Sequence, residues 1–201
     1  MTMKRILLPI ACTLLLASPA WAAMPTQAEL DAARTRVERA PDSPDAQFEL
    51  AMAYARTPFL EQGWEALKRV NALDSAYAEK AVARYEAATT ANPDDAEATF
   101  RLAFAYYFMN KKEQAVHQMQ RAVALAPQDA WGYNYLGFLI AEQNRLDEAA
   151  KLWQQALAID PNNAVAHYLM GQYFYRQGKF MQAASALASA VKSRNSSGLR
   201  P

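Results

Sequence analysis

The chain has little of what most enzyme chemistry is built from. Of its 201 residues one is cysteine, two are histidine and six are glycine. A lone Cys12 leaves no internal disulfide and no cysteine-based metal site, so an oxidising compartment is tolerated without being exploited. His117 and His167 lie far apart and have no thiolate companions, which argues against a transition-metal site. There is no glycine-rich phosphate loop, no serine elbow and no distinctive carboxylate pair. The acidic residues of "PDD" and "LDE" read as helix-start charges. Neither catalysis nor a bound cofactor is expected. Alternating Val/Ile/Thr runs are missing as well, while hydrophobic residues, many of them alanine, make up 52% and charged residues 20%. That balance favours an all-α protein over sheet. A formal charge of +1 without a basic cluster gives no footprint for nucleic acid.

At the start, Lys4 and Arg5 precede an apolar run from Ile6 to Ala17, and "SPAWAA" supplies the small residues Ala20 and Ala22. This is the plan of a signal peptide over residues 1–22, cleaved after Ala22, and it implies a periplasmic or secreted protein. A membrane anchor needs roughly 20 apolar residues, and this run has about twelve, Pro9 among them. No stable membrane insertion is expected once the leader is gone. A lipid anchor through Cys12 is disfavoured, because Pro9-Ile10-Ala11 departs from the Leu-led box of bacterial lipoproteins. Removing Lys4 and Arg5 from 21 basic residues leaves 19 against 20 acidic ones.

The remainder is periodic. Pro93, Pro127 and Pro161 are 34 residues apart, and each opens similar text: "PDDAEATF", "PQDAWGYN", "PNNAVAHY". Proline ends one helix and short polar side chains cap the next. Two helices per fixed period are the mark of a solenoid. Along one unit the landmarks are Tyr133, Leu136-Gly137, Ile140, Ala149, Trp153, Ala156 and Pro161. The unit before has Thr99, Leu102-Ala103, Tyr106, Ala115, Met119, Ala122 and Pro127; the unit after has His167, Met170-Gly171, Phe174, Ala183, Leu187 and Ala190. Small residues at 103, 137, 149, 171 and 183 suit close helix crossings. Asn110, Asn144 and Gly178 suit left-handed helix ends.

On these landmarks the chain resembles a tetratricopeptide repeat protein. The resemblance implies a right-handed superhelical solenoid of antiparallel helix pairs with about four repeats. "FELAMAY" at 48–54 matches "FRLAFAY" at 100–106, and the separation is 52, not 34. Eighteen residues, 58–75, are therefore inserted in the first unit, between Pro58 as a stop and Asp74-Ser75 as a cap. The expected organisation is a capping helix at 23–43, opened by the box Thr26/Glu29. Repeats follow at 44–95, 96–129, 130–163 and 164–195, with a polar tail at 196–201.

In this architecture the first helix of each unit lines a concave face, which makes a peptide-sized groove. Helical spacing places Phe48, Met52, Phe100, Arg101, Phe104, Tyr107, Asn134, Phe138, Tyr168, Gln172 and Tyr175 on it, with Arg56 and Arg176 nearby. So many aromatics suit an apolar or aromatic partner segment; packing of some of them against neighbouring helices is the competing reading. The Lys/Asn/Arg clamp of chaperone-binding members is absent, with Phe48, Met52 and Phe100 on the corresponding faces. Aromatic grooves also resemble those of type III secretion chaperones, which lack a leader. The expected role is an adaptor without activity of its own, serving envelope assembly, secretion or cytochrome maturation. A structural unit that self-assembles through an uncapped last helix, as in a homodimer, is the alternative. In the insertion, Leu60, Trp64, Leu67 and Val70 share one face of a short helix, which either packs on the first unit or docks a partner.

Overall fold

The computed structural model describes residues 23–201, so the expected leader at 1–22 lies outside the described residues. Ten helices follow in order: α1 Gln27–Arg39, α2 Pro44–Tyr54, α3 Leu60–Leu73, α4 Tyr77–Ala91, α5 Ala96–Phe108, α6 Lys112–Leu125, α7 Ala130–Glu142, α8 Leu146–Ile159, α9 Ala164–Arg176 and α10 Phe180–Ser196. No strand occurs among the described residues.

The repeat is written in the ends of the helices. Asp95, Asp129 and Asn163, 34 residues apart, each accept a backbone N–H of the helix they precede. Asn110, Asn144 and Gly178 hold φ of 57°, 64° and 71°. After each, the next N–H reaches back to a carbonyl five residues earlier: Lys111 to Tyr106, Arg145 to Ile140 and Lys179 to Phe174. This closes the first helix of each pair with a left-handed residue and turns the chain sharply into the second. At the start, Thr26 and Glu29 form a reciprocal capping box on α1.

Helices α5/α6, α7/α8 and α9/α10 pack as antiparallel pairs, and α4, α6 and α8 pack on the pair that follows. In the pairs α7/α8 and α9/α10 the glycine of the first helix receives a side chain of the second. A Cβ on Gly137 would lie 2.4 Å from the indole nitrogen of Trp153, whose ring is buried and donates to the Asn134 carbonyl at 3.3 Å. On Gly171 it would meet Leu187 at 2.8 Å.

The insertion is not an appendage. Helix α3 turns back along α2 and is its close antiparallel partner. A Cβ on Gly63 would come within 3.3 Å of the Tyr54 Cβ, which fixes how near α3 lies to α2. Ala66, Leu67 and Val70 join the main core, and Val70 is wholly buried. Helix α4 meets α2 chiefly through the rings of Tyr77 and Tyr85 on Phe48, at 5.4 and 6.2 Å. The expected cap of α4 sits slightly early: Asp74 accepts from the Ala76 N–H and pairs with Lys80 at 2.7 Å.

Two clasps curl the superhelix onto itself. Arg56, just past the end of α2, makes a bidentate pair with Asp129, the N-cap of α7, and both side chains are buried. Beside it the Tyr135 hydroxyl donates to the Ala55 carbonyl at 2.6 Å. The segment 196–201, expected as a free polar tail, docks on α1. Leu199 packs with Leu30, Tyr54 and Phe59, Arg34 donates to the Arg200 carbonyl and the Arg200 N–H reaches Gln27, both at 2.7 Å.

Candidate functional site

The stripe of first-helix residues is divided by this curl into a buried part and an open part. Phe48 lies under Tyr77 and Tyr85, and Met52 is buried beside it. Phe100 is buried against Phe104 and Tyr135, with the Arg56 guanidinium 4.3 Å above its ring. Phe104 stands edge-on to Tyr135 at 4.5 Å and is buried too. Asn134 is 2% exposed, and its amide donates to the Asn163 side chain at 2.8 Å. These five were expected on an open groove; α4 covers Phe48, Arg56 and Tyr135 cover Phe100 and Phe104, and Asn163 engages Asn134, so that all five, Met52 included, are core. Arg101 is half-buried and paired with Glu49 at 2.8 Å and Glu97 at 2.9 Å, which occupies it structurally.

The open part runs from α3 to α9. Trp64 is 39% exposed and its ring lies 6.0 Å from Tyr107, which in turn meets Phe138 edge-on at 5.7 Å. Burial, with the Glu142 carboxylate beside it, pushes the Tyr107 phenol up to about 12; its hydroxyl donates to Glu142 at 3.2 Å. Tyr168 is 47% and Tyr175 63% exposed, with Gln172 exposed between them. Of the insertion face, Leu67 and Val70 are buried, Leu60 is half-buried and Trp64 stays accessible.

Between these walls lies an apolar cavity of about 60 Å³. Leu60, Gly63, Trp64 and Leu67 form one side, and Phe104, Tyr135, Phe138, Val165 and Leu169 the other. Val165, Leu169, Tyr135 and Ala55 were not among the residues expected at the site. Val165 and Leu169 lie one helical turn from Tyr168 and Gln172 on the same face, so the spacing carried the signal. Among the described residues no three His, Cys, Asp or Glu are grouped as metal ligands, and no helix is long and apolar enough to cross a membrane.

Three family models match the chain: one described as TPR repeat over residues 140–178, and two described as tetratricopeptide repeat over 72–132 and 168–200. No curated protein sequence matches. Among solved structures, "MamA RS-1 ArsTM double mutant" is similar at 19% identity with a TM-score of 0.57, covering 90% of this chain and 99% of that one. "YrrB: a TPR protein with an unusual peptide-binding site" is similar at 20% identity with a TM-score of 0.52, covering 84% and 95%. At such identities the likeness concerns the fold. The family matches begin at residue 72, after the cavity wall formed by Leu60, Gly63, Trp64 and Leu67.

Proposed function

The chain belongs to the tetratricopeptide repeat family, and from that premise we propose that it is an exported, non-catalytic adaptor. It holds a segment of another protein on the open half of its inner face. The observation that carries this reading is a set of accessible aromatics, with Trp64 lining a preformed apolar cavity and Tyr168 and Tyr175 exposed on α9, the helix that gives the cavity Val165 and Leu169. Exposed aromatic rings beside a pocket are what a recognition surface uses, because each buries large area at small entropic cost. The charged leader text of residues 1–22 supports export to the periplasm, and one solved neighbour of the same fold is titled for its peptide-binding site. The settings that suit such an adaptor are envelope assembly, secretion and cytochrome maturation.

The test is capture from periplasmic and membrane extracts, comparing the native chain with Tyr168→Glu plus Tyr175→Glu. Both tyrosines are exposed, so the variant keeps its fold, and partners recovered by the native chain should be lost. Equal recovery by both would remove this face from the reading.

A second reading has its own observation. The outer face of α10 exposes Phe180 at 64%, Met181 at 85% and Val191 at 59%, where a following repeat would pack. Self-assembly through this face predicts a mass that rises with concentration in light scattering and falls back with Met181→Glu. A constant monomer mass would dismiss it.

A further inference from the structure

The last helix of a solenoid needs a polar outer face to stay soluble alone, and α10 does not have one. Its residues from Phe180 to Val191, "FMQAASALASAV", include no charged side chain. The buried side of the helix is Ala183, Ala190 and Ser193. A rotation of about 100° per residue gathers Met181, Ala184, Ala188 and Val191 on the opposite side. All four are exposed, Met181 at 85%. The residues after α10 do not cover this stripe, because Leu199 and Arg200 run to Leu30 and Gln27 of α1.

We infer that this face closes on the same face of a second copy, α10 against α10, antiparallel across a two-fold axis. Such a contact requires a surface that fits itself, so that if one residue meets a second, the second meets the first. The stripe does so: large, small, small, large reads the same from either end. With the axis level with residue 186, Met181 meets Val191 of the other copy and Ala184 meets Ala188. The alanines let the two helices approach to about 8 Å, and the larger side chains close the ends. Charge agrees with this register. Lys192 falls opposite the Phe180 ring of the other copy, a favourable cation–π pairing, and no like charges meet along the two helices. Head-to-tail stacking would instead set the apolar stripe on α1, which exposes Asp31, Arg36, Glu38 and Arg39 and already holds the tail. That mismatch argues for closure at two copies. A single helix face is at the small end of specific interfaces, so the expected Kd is weak, about 10–100 μM. The inference rests on the self-assembly reading above and adds the partner, the symmetry and the register.

The test is sedimentation of the full chain across a concentration series, joined to cysteine cross-linking in a Cys12→Ser background that removes the one native thiol. The mass should level off at two copies. Ala188→Glu, at an exposed site, should keep the melting temperature of dilute protein and weaken association at least tenfold. Adding Ala184→Lys to it should restore the dimer, because the two-fold sets each lysine beside the glutamate of the other copy. Oxidation should join a Met181→Cys chain to a Val191→Cys chain. Met181→Cys alone should stay uncoupled, since the two copies of residue 181 lie about 15 Å apart along the helix axis. A mass that climbs beyond two copies yet is stopped by Met181→Glu, or Met181→Cys coupling to itself, would overturn the two-fold register and leave self-assembly through α10 standing. The mass of one chain at every concentration would remove both. Oligomers that survive Met181→Glu and Ala188→Glu would place the contact elsewhere and remove both as well.

Discussion

Gly137 and Gly171 occupy the same place in consecutive repeats, yet alanine should be far worse at the first. At Gly137 the new methyl would sit 2.4, 2.7 and 3.1 Å from three atoms of the Trp153 indole. That ring is rigid and 3% exposed, and its N–H is tied to the Asn134 carbonyl, so it must shift as a body. Overpacking of this kind costs about 1–3 kcal/mol, and weakening the buried hydrogen bond adds about 1 kcal/mol. Alanine regains about 1 kcal/mol of helix propensity, leaving a net loss of about 2 kcal/mol. At Gly171 the crowding atoms are Cγ and Cδ2 of Leu187 at 2.8 Å. Leu187 is only half-buried on the outermost helix and can change rotamer. There the propensity gain cancels most of the strain, and the expected change is within about 1 kcal/mol. Urea unfolding followed by circular dichroism measures both, with an unchanged slope as the check that only stability moved. Because Trp153 is the obstacle, Trp153→Phe combined with Gly137→Ala should cost less than the two single changes summed. A neutral Gly137→Ala, or a Gly171→Ala that costs more, would refute the packing argument.

The buried Arg56–Asp129 pair should behave as a unit: Arg56→Met strands a buried carboxylate and should cost about 3–5 kcal/mol, while Arg56→Met with Asp129→Asn should recover part of it, read in the same unfolding assay. Deleting residues 58–75 should lower the melting temperature sharply and reduce helicity beyond the residues removed, because Phe59, Ala66, Leu67 and Val70 are core; an unchanged melt would return the insertion to the status of an appendage. Stability should also bend at both ends of the pH scale. The Tyr77 hydroxyl, with Arg84 beside it, holds the Asp45 carboxyl below the ordinary range, so its contribution is complete above about pH 4 and is lost as the pH falls below that. Asp45→Asn should flatten the acid limb. Tyr107, raised to about 12 by burial and Glu142, favours its neutral form, so that contribution holds below about pH 10 and fades toward pH 12; Tyr107→Phe should flatten the alkaline limb.

What the sequence made legible was whatever repeats. Spacing of 34 placed a short polar cap just after Pro93, Pro127 and Pro161, found at Asp95, Asp129 and Asn163, and the left-handed ends at Asn110, Asn144 and Gly178, because these are local demands of the backbone. The period also exposed the insertion by its excess of 18 residues. Helical spacing put Phe48, Phe100, Phe104 and Asn134 on one inner stripe, but a stripe does not say how tightly the solenoid curls. That depends on contacts such as Arg56 with Asp129, 73 residues apart, and Arg200 with Gln27, 173 apart. Neither pair has a periodic signal. Packing turned half of the stripe into core and left Tyr107, Phe138, Tyr168, Gln172 and Tyr175 as the accessible remainder, with Trp64 of α3 beside Tyr107.

The same packing decides how a partner meets the apolar face beside α3. If α3 had to swing away, Ala66, Leu67 and Val70 would be uncovered together with the surface of α2. Each larger apolar side chain so exposed costs about 1.5–3 kcal/mol, and three or four of them would consume most of the 8.2 kcal/mol or so that a micromolar complex supplies. Docking beside a fixed α3 avoids that cost. Locking α3 to α2 separates the two routes. The Cβ of Tyr54 and a Cβ placed on Gly63 are 3.3 Å apart, near the usual spacing of about 3.5–4.5 Å in disulfides, and the chain has no cysteine beyond Cys12 to compete. Oxidised Tyr54→Cys plus Gly63→Cys should capture the partner as the reduced form does. Binding lost on oxidation and restored by reductant would show instead that α3 is a gate.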